Sequence, residues 1–223
     1  MAGTSTESQR NEAYERLRQN IIYLQYEPGR KLALSGLCEE LEIGRTPVRG
    51  ALQQLQKDGL VNTVPQSGTY VTKIDMARAE EARFMREMLE REVAGECAAL
   101  ATRSDLDRLD QAIELQRIAI DDGAAGDFLV SDDLMHRSLF DIARRSSVWE
   151  WLSRTNADLE RYRLIRVSST ELDLGEVFGQ HLRLRDAISR HDTTEARFLT
   201  AQHLHMMLAE APEVMRLRPD YFA

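Results

Sequence analysis

Cysteine, proline and aromatic residues are scarce in this chain. Its 223 residues include two cysteines and five prolines, and aromatic side chains make up 6% of the sequence. Cys38 and Cys97 lie in separate helical patterns, which argues against the disulfide framework that stabilises small secreted domains. Proline interrupts helices, so its scarcity beyond residue 75 favours long ones. We predict buried, reduced thiols in a mostly helical protein.

Long apolar runs are missing as well. No stretch reaches the roughly 20 residues with which a helix crosses a membrane, and the first ten residues, MAGTSTESQR, lack the apolar core of a signal peptide. We therefore expect a cytoplasmic protein with no membrane partner.

An excess of basic residues, common in DNA-binding proteins, is also absent, since the net charge is -8. Residues 1–75 hold nine basic and nine acidic residues. The whole chain has 29 basic and 37 acidic residues, so residues 76–223 hold 20 basic and 28 acidic ones. The charge division and the change of pattern near residue 75 predict two domains, 1–75 and 76–223. The acidic second part should disfavour non-specific association with DNA.

Two short helices are predicted on either side of a break at Ile43-Gly44. Apolar residues recur there three and four positions apart. Thr46 is a candidate cap for the second helix, and Pro47 suits its first turn. Further on, an alternating pattern flanks Pro65-Gln66-Ser67-Gly68 and predicts a hairpin. The two apolar faces are Leu34, Leu37 and Leu41, then Val48, Leu52 and Leu55.

The arrangement of helix, turn, helix and hairpin is typical of DNA-binding domains. Arg45 and Arg49 are the candidate readers of base edges, because the start of a recognition helix enters the major groove and a guanidinium can pair with guanine. A solvated basic helix face is the plain alternative. The other predicted DNA-binding residues are Arg30, Lys31, Thr46, Gly68 and Thr69.

The chain contains five short blocks, PGRKL, LCEEL, RTPVRGAL, LQKDGLV and SGTYV. In this order and spacing they resemble the winged helix-turn-helix of the GntR superfamily of bacterial transcription regulators. The similarity covers roughly residues 8 to 74. Leu34, Gly44 and Gly50 depart from the residue types usual in that family, which bears on operator contacts more than on the fold.

Beyond residue 75 the pattern indicates an α-helical bundle. The first helix places Phe84, Met88 and Val93 largely on one side, which predicts that this side packs inside the bundle. We predict a mostly α protein in which a winged helix-turn-helix precedes an antiparallel helical bundle. The six predicted helices lie near 77–102, 105–122, 127–144, 147–168, 174–191 and 193–210.

Four residues of the bundle are candidate metal ligands. Asp132 and His136 are four apart and share a helix face, while His181 and His203 lie on later helices. Three imidazoles and a carboxylate suit a divalent transition metal, with zinc the first choice and nickel, manganese or iron as alternatives. Without further information, scattered histidines in a bundle are more often hydrogen-bonded or surface residues.

A second resemblance concerns residues 77 to 210, which are similar to the metal-binding form of the FCD ligand-binding domain, in its smaller six-helix, VanR-like version. The resemblance implies that Asp132, His136, His181 and His203 are the ligands, and that His191 and His205 are not. Gln180 stands where the family usually has Glu. The motifs are EARFMREMLE, the Asp-x-x-x-His pair, HLRLRDAISRHD and ARFLTAQHLH.

The two resemblances together imply a homodimeric regulator, more commonly a repressor, that binds an inverted-repeat operator. A small organic acid, possibly a sugar acid, would bind at the metal pocket, and a guanidinium would complement its carboxylate. Arg86 is the first candidate, followed by Arg161 and Arg163. Two alternatives stay open: the metal itself is the signal, or the bundle is a metal-dependent enzyme.

Overall fold

The computed structural model describes residues 5–169 and 172–223, and the chain divides into two compact units. The first unit extends to Met76 and also takes in Arg218–Ala223, while the second unit is Ala77–Leu217. The first division lies within one residue of the predicted boundary. The last six residues, which the sequence assigned to the second domain, group with the first unit instead.

Unit 1 is a helix-turn-helix with a small sheet. The sheet has the order β1-β3-β2, and both pairings are antiparallel. Its core is formed by buried apolar residues of the three helices, among them Leu17, Ile21, Val48 and Leu55. The elements are α1 (Thr6–Ile22), β1 (Lys31–Leu32), α2 (Leu34–Leu41), α3 (Arg45–Lys57), β2 (Val61–Val64) and β3 (Gly68–Val71).

The turn between α2 and α3 follows from local sequence. Helix α2 ends at Leu41, and Glu42 adopts a left-handed conformation with φ 58°. Gly44 is the N-cap of α3 in extended backbone, and Pro47 lies in the first turn, where it has no hydrogen bond to lose. The prediction that Thr46 caps α3 is wrong, because the helix already begins at Arg45.

The C-terminal tail completes unit 1. The backbone N–H of Ile74 donates to Tyr221 O at 2.9 Å, and that of Ala223 donates to Ile74 O at 3.0 Å. Tyr221 and Phe222 are buried, with 8% and 5% of their surface exposed. The chain therefore returns to the segment from which it left unit 1, and two aromatic side chains fix it there.

Unit 2 is a helical bundle. Helix α5 packs against α6 and α9, and α9 packs against α10. Leu109, Ile113, Leu139, Phe140 and Leu184 are at the centre of its apolar core. The helices are α4 (Met76–Leu100), α5 (Arg103–Asp121), α6 (Ala125–Ile142), α7 (Ser146–Thr155), α8 (Ala157–Ser169), α9 (Leu174–Ser189), α10 (Thr193–His205) and α11 (Ala211–Leu217).

The fourth predicted helix, 147–168, is in fact two helices. They are α7 and α8, and Asn156 lies between them. The Asn156 side chain is buried, and its amide donates to Glu160 Oε1 at 2.8 Å. The Asn156 C=O also accepts from the Glu160 N–H at 2.9 Å, the hydrogen bond with which α8 begins. The six-helix count is therefore wrong for the described part of the bundle, which also has α11 after α10.

The prediction for α4 is right at the C-terminal end of the helix, where Val93 and Ala94 are buried in the core, and wrong near its start. Phe84 is 56% exposed, whereas Arg86 and Glu90 are fully buried. The apolar spacing gave a wrong prediction for Phe84 because this part of α4 buries a charged face and leaves Phe84, Met85 and Leu89 exposed. Across the described ranges, no helix has the length and apolar character to cross a membrane.

Candidate DNA-binding surface and metal centre

The start of α3 presents two guanidinium groups to solvent. Arg45 and Arg49 are exposed and four residues apart, so both lie on one face of the helix. Among the residues that the structure describes, neither side chain has an ion-pair or hydrogen-bond partner, and Thr46 between them is also exposed. Side chains at this position of a recognition helix contact base edges in the major groove.

The remaining predicted DNA contacts lie at the sheet. Arg30 is exposed, donates to Gln25 O at 2.9 Å and stacks over the ring of Tyr26. Lys31 pairs with Tyr70 across β1 and β3. Gly68 begins β3 with φ 138°, which only glycine adopts readily, and an added Cβ there would lie 2.7 Å from Lys31 Cε. Thr69 follows Gly68 in β3 at the tip of the wing.

The four predicted metal ligands come together in unit 2. Asp132 and His136 project from α6, His181 from α9 and His203 from α10, and one donor atom from each lies within 4.8 Å of the others. His181 Nε2 is 3.3 Å from Asp132 Oδ1 and 3.4 Å from His203 Nε2. His136 Nε2 is 3.8 Å from Asp132 Oδ2. The imidazole Nε2 atoms thus converge on the carboxylate.

Each imidazole also has a side chain beside its Nδ1 atom. Gln116 Oε1 is 2.8 Å from Nδ1 of His181, and Gln180 Oε1 is 2.7 Å from Nδ1 of His203. Glu90 Oε2 is 2.5 Å from Nδ1 of His136. Such partners orient ligating histidines and select their tautomer. The sequence analysis missed Glu90 and Gln116; the nearest signal was a charged residue and an amide among the apolar positions of their helices.

Buried charge surrounds the four ligands. Arg163 contacts Asp132, Asp133 and Glu160, with the last two at 2.8 and 2.7 Å. Arg86 pairs with Glu90 at 2.6 Å and lies 3.4 Å from Glu160. Four carboxylates accompany these two guanidinium groups, and burial raises the pKa of Glu160, which opposes its ionisation.

The pKa values of the cluster favour metal ligation. Burial opposes the charge of Asp132, but Arg163 and the imidazoles outweigh it and hold the pKa of this carboxyl below its usual range. Burial lowers the pKa of His181 to about 4 and that of His203 well below its ordinary value. At neutral pH these two imidazoles are neutral and have a lone pair available.

Several buried polar atoms of the cluster have no hydrogen-bond partner within residues 5–169 and 172–223. They include both ring nitrogens of His136, Nη2 of Arg86 and Oε2 of Glu90, although this Oε2 atom lies 2.5 Å from Nδ1 of His136. A buried polar atom without a partner costs free energy, so it points to a bound species. Together with the converging donors, these atoms show that the residues present fit a divalent metal ion. The cluster could hold one.

A cavity of about 120 Å³ adjoins the cluster and is lined by both polar and apolar groups. Asp132 and His203 form part of its wall, and the guanidinium groups that line it belong to Arg163 and Arg166. Arg166 pairs with Glu210 at 2.6 Å. The apolar part of the wall includes Phe128, Leu129, Val167, Leu172, Val177, Met206 and Met207.

The three predicted effector arginines do not all line this cavity. Arg163 lines the cavity, whereas Arg86 and Arg161 are not among its lining residues. Arg86 is fully buried against Glu90, and Arg161 pairs with Asp158 at 2.6 Å. Arg166, which the sequence analysis did not select, lines the cavity instead.

The other two histidines stay apart from the cluster. His205 follows His203 on α10, but its side chain is 70% exposed and lies 3.5 Å from Glu87. His191 Nδ1 is 2.8 Å from Ala98 O. Neither belongs to the group that could hold a metal.

Two known families match the chain. Residues 9–71 match "Bacterial regulatory proteins, gntR family", and residues 81–206 match the "FCD domain". The solved structure of E. coli McbR/YncC superposes with a TM-score of 0.80 and covers 95% of this chain and 99% of its own, at 18% identity. The fold is therefore that of a winged helix-turn-helix followed by a helical bundle, as predicted.

Full-length relatives support the same assignment. The "HTH-type transcriptional repressor RspR" of Escherichia coli (strain K12) is 29% identical over 98% of this chain and 95% of its own length. A transcriptional regulator from an unstable DNA locus of Streptomyces ambofaciens is 30% identical over 100% and 93%. Both relatives are named as regulators of transcription. The chain belongs to the GntR family of transcription regulators and has an FCD domain in its second unit.

Proposed function

We propose that this regulator is a repressor whose operator affinity changes when a small organic acid binds beside a metal ion in unit 2. The cavity next to Asp132 and His203 supports this proposal most directly, because Arg163 also lines it. A metal ion and a guanidinium on one small cavity form a site for a carboxylate. The metal would be held by Asp132, His136, His181 and His203, and zinc suits these ligands.

The effector should be a small acid with an apolar or neutral remainder. Arg163 can orient its carboxylate, and Arg166 is a second cation on the wall that shares its charge with Glu210. Apolar residues such as Phe128 and Val177 limit how much further charge the cavity accepts. Hydroxyl groups of a sugar acid could bond to Gln180 and Glu176, which also line it. Sugar acids and hydroxy acids are the first candidates.

The operator is proposed to be an inverted repeat read by a homodimer. A two-fold dimer places two recognition helices on half-sites that are related by the same symmetry. The exposed apolar face of Phe84, Met85 and Leu89 on α4 is a surface that a second copy could cover. In unit 1, Arg45 and Arg49 would read bases, while Arg30, Lys31, Thr46, Gly68 and Thr69 would contact the backbone or groove edge.

Regulation would work by linkage between two ligands. If the acid lowers operator affinity by some factor, the operator must lower the affinity for the acid by the same factor. Repression relieved by the acid is the proposed polarity, and the similarity to the repressor RspR supports it.

The metal part of the proposal is tested by elemental analysis of three purified proteins. Wild type should contain about one equivalent of metal per chain, and Asp132→Ala and His181→Ala should contain little. His205→Ala is the matched control, because this exposed histidine lies outside the cluster. Wild-type protein that neither contains metal nor takes it up on reconstitution would refute the metal pocket.

The effector part is tested with an operator selected from random DNA by the full chain. Operator affinity is measured with metal-loaded protein against a panel of aldonates, hydroxy acids and dicarboxylates. One acid should weaken binding in wild type and in His205→Ala but not in His181→Ala. Unchanged operator affinity across the panel would contradict regulation by an organic acid.

Metal sensing is a second candidate, favoured by one observation. Four protein ligands complete a tetrahedral site without an effector, and three of them are buried. In that case, free metal alone would set operator affinity. A titration with free zinc at a fixed concentration of acid, repeated without acid, separates the two, since a metal sensor responds to zinc in both series.

A further inference from the structure

We propose that Glu90 is a positioning residue for the metal ligand His136, and that Arg86 is the counter-ion that holds Glu90 in place. The inference rests on the metal centre of the proposed function. It gives Arg86 a role different from effector binding.

The geometry links the three side chains in one buried row. Glu90 Oε2 lies 2.5 Å from Nδ1 of His136, and Glu90 Oε1 accepts from Nε of Arg86 at 2.6 Å. All three residues have 0% of their surface exposed. Arg86 and Glu90 are four residues apart on α4, so one helix face supplies both members of the pair.

A carboxylate beside Nδ1 determines which imidazole nitrogen is free. Neutral imidazole has one N–H group, and a negative charge next to Nδ1 favours the hydrogen on that atom. The lone pair is then on Nε2, which is buried without a hydrogen-bond partner and lies 3.8 Å from Asp132 Oδ2. Glu90 therefore prepares His136 to coordinate a metal through Nε2.

Glu90 differs in charge from the partners of the other two imidazoles. Gln116 and Gln180 place neutral amide oxygens beside His181 and His203. A full negative charge polarises an imidazole more strongly than an amide dipole, so it makes His136 the better electron donor. Among these three partners, the loss of Glu90 should weaken metal binding most.

Arg86 makes a charged Glu90 possible at this depth. Burial opposes ionisation of Glu90, and the Arg86 guanidinium, whose Nε lies 2.6 Å from Glu90 Oε1, supplies the compensating positive charge. Without Arg86, the carboxylate would be buried with insufficient compensation. The 3.4 Å contact to Glu160 fixes the guanidinium from a second side. Arg86 thus compensates the charge of Glu90, while its Nη2 atom has no hydrogen-bond partner among the described residues.

The test measures zinc affinity of the full chain by competition with a chromogenic chelator. Glu90→Gln should weaken zinc binding about 10- to 100-fold, the range typical for loss of a partner of a metal ligand. Glu87→Gln on the same helix is the matched control, because Glu87 contacts Arg83 and His205 outside the cluster. It should stay within about twofold of wild type. Glu90→Gln within threefold of wild type would overturn the inference.

Folding defects are separated from the positioning effect by a double variant. Glu90→Gln leaves Arg86 buried with less compensation, whereas Arg86→Gln with Glu90→Gln removes both charges and should restore stability. The double variant should fold and still bind zinc at least 10-fold more weakly. Wild-type affinity in a folded double variant would contradict a positioning role.

A spectroscopic readout addresses the tautomer directly. Long-range ¹H–¹⁵N spectra of zinc-loaded protein should show His136 protonated at Nδ1, with a resonance that shifts in both Glu90 variants while those of His181 and His203 stay in place. Unchanged His136 resonances would refute the proposal. If wild type itself binds no zinc, the metal centre of the proposed function fails, which is distinct from a failure of Glu90 alone.

Discussion

The two units place arginine in opposite environments. In unit 1, Arg45 and Arg49 project from the start of α3 into solvent, and no partner is found for them in the described chain. In unit 2, Arg86 and Arg163 are almost fully buried and surrounded by carboxylates. An exposed, uncompensated guanidinium is available to DNA, whereas a buried one stabilises a negative cluster. The same residue type is therefore accessible to a partner such as DNA in one unit and compensates buried carboxylates in the other.

Removal of Arg163 should give the largest effect. Arg163→Met leaves Asp132, Asp133 and Glu160 without their shared cation, and breaking such a buried pair costs about 3–5 kcal/mol. Urea unfolding of metal-free protein, followed by fluorescence of Trp149 and Trp151 in unit 2, measures it. Zinc should restore part of the loss because it supplies positive charge.

Arg137→Met is the control for this experiment. Arg137 lies on α6 with its side chain 56% exposed and a single loose contact to Asp141, so its loss should change stability by about 0.5 kcal/mol or less. Equal effects of the two substitutions would contradict the contrast between buried and exposed arginines.

The tail of unit 1 provides the next prediction. Phe222→Ala should destabilise unit 1 by about 3 kcal/mol, because it empties an aromatic site that is 95% buried. Hydrogen exchange followed by mass spectrometry should show faster exchange in α1 and α3 and little change in α5 and α6. Asp220→Ala, at an exposed position of the same tail, should leave exchange unchanged. Protection in α1 that survives Phe222→Ala would argue against a structural role for the tail.

Arg49 tests the recognition side of the comparison. Arg49→Ala should weaken binding to the selected operator by about 1–3 kcal/mol if the side chain reads a base. Binding to random DNA should fall less. An equal loss on both DNAs would assign Arg49 to a phosphate contact, and no loss on either would remove it from the interface.

Gly50 should give the smallest effect. Gly50→Ala replaces a glycine inside α3 and should stabilise unit 1 by up to about 1 kcal/mol through helix propensity. The new Cβ would lie 3.0 Å from Cδ of Arg10, whose half-exposed side chain can move away. Thermal unfolding of the variant measures the balance. A lower melting temperature would mean that Arg10 cannot move.

Several features were predictable because they depend on neighbours in sequence. Two apolar helix faces, the break between them and the hairpin pattern predicted α2, α3 and the wing close to their positions in the structure. The i,i+4 spacing of Asp132 and His136 correctly predicted that both lie on one face of α6. Resemblance to a known domain added His181 and His203, which spacing alone could not connect.

Other features depended on contacts between distant segments. Phe84 was expected inside the bundle because apolar residues usually are, yet α4 buries Arg86 and Glu90 in its place. Burial of these two charged residues is favourable only because His136 of α6 contacts Glu90 and Glu160 of α8 contacts Arg86. The break at Asn156 has a similar cause, since the buried Asn156 side chain bonds to Glu160, which in turn contacts Arg86 and Arg163.

The sequence by itself determined the two-part architecture, the helix-turn-helix and the residue types of the candidate metal cluster, because helix periodicity, turn chemistry and ligand chemistry are local properties. Only the tertiary structure decided which charged residues surround that cluster, that Arg163 and Arg166 line the cavity, and that the last six residues complete unit 1. The reason is physical: the burial of a charge depends on compensating groups that the chain brings from far away in sequence.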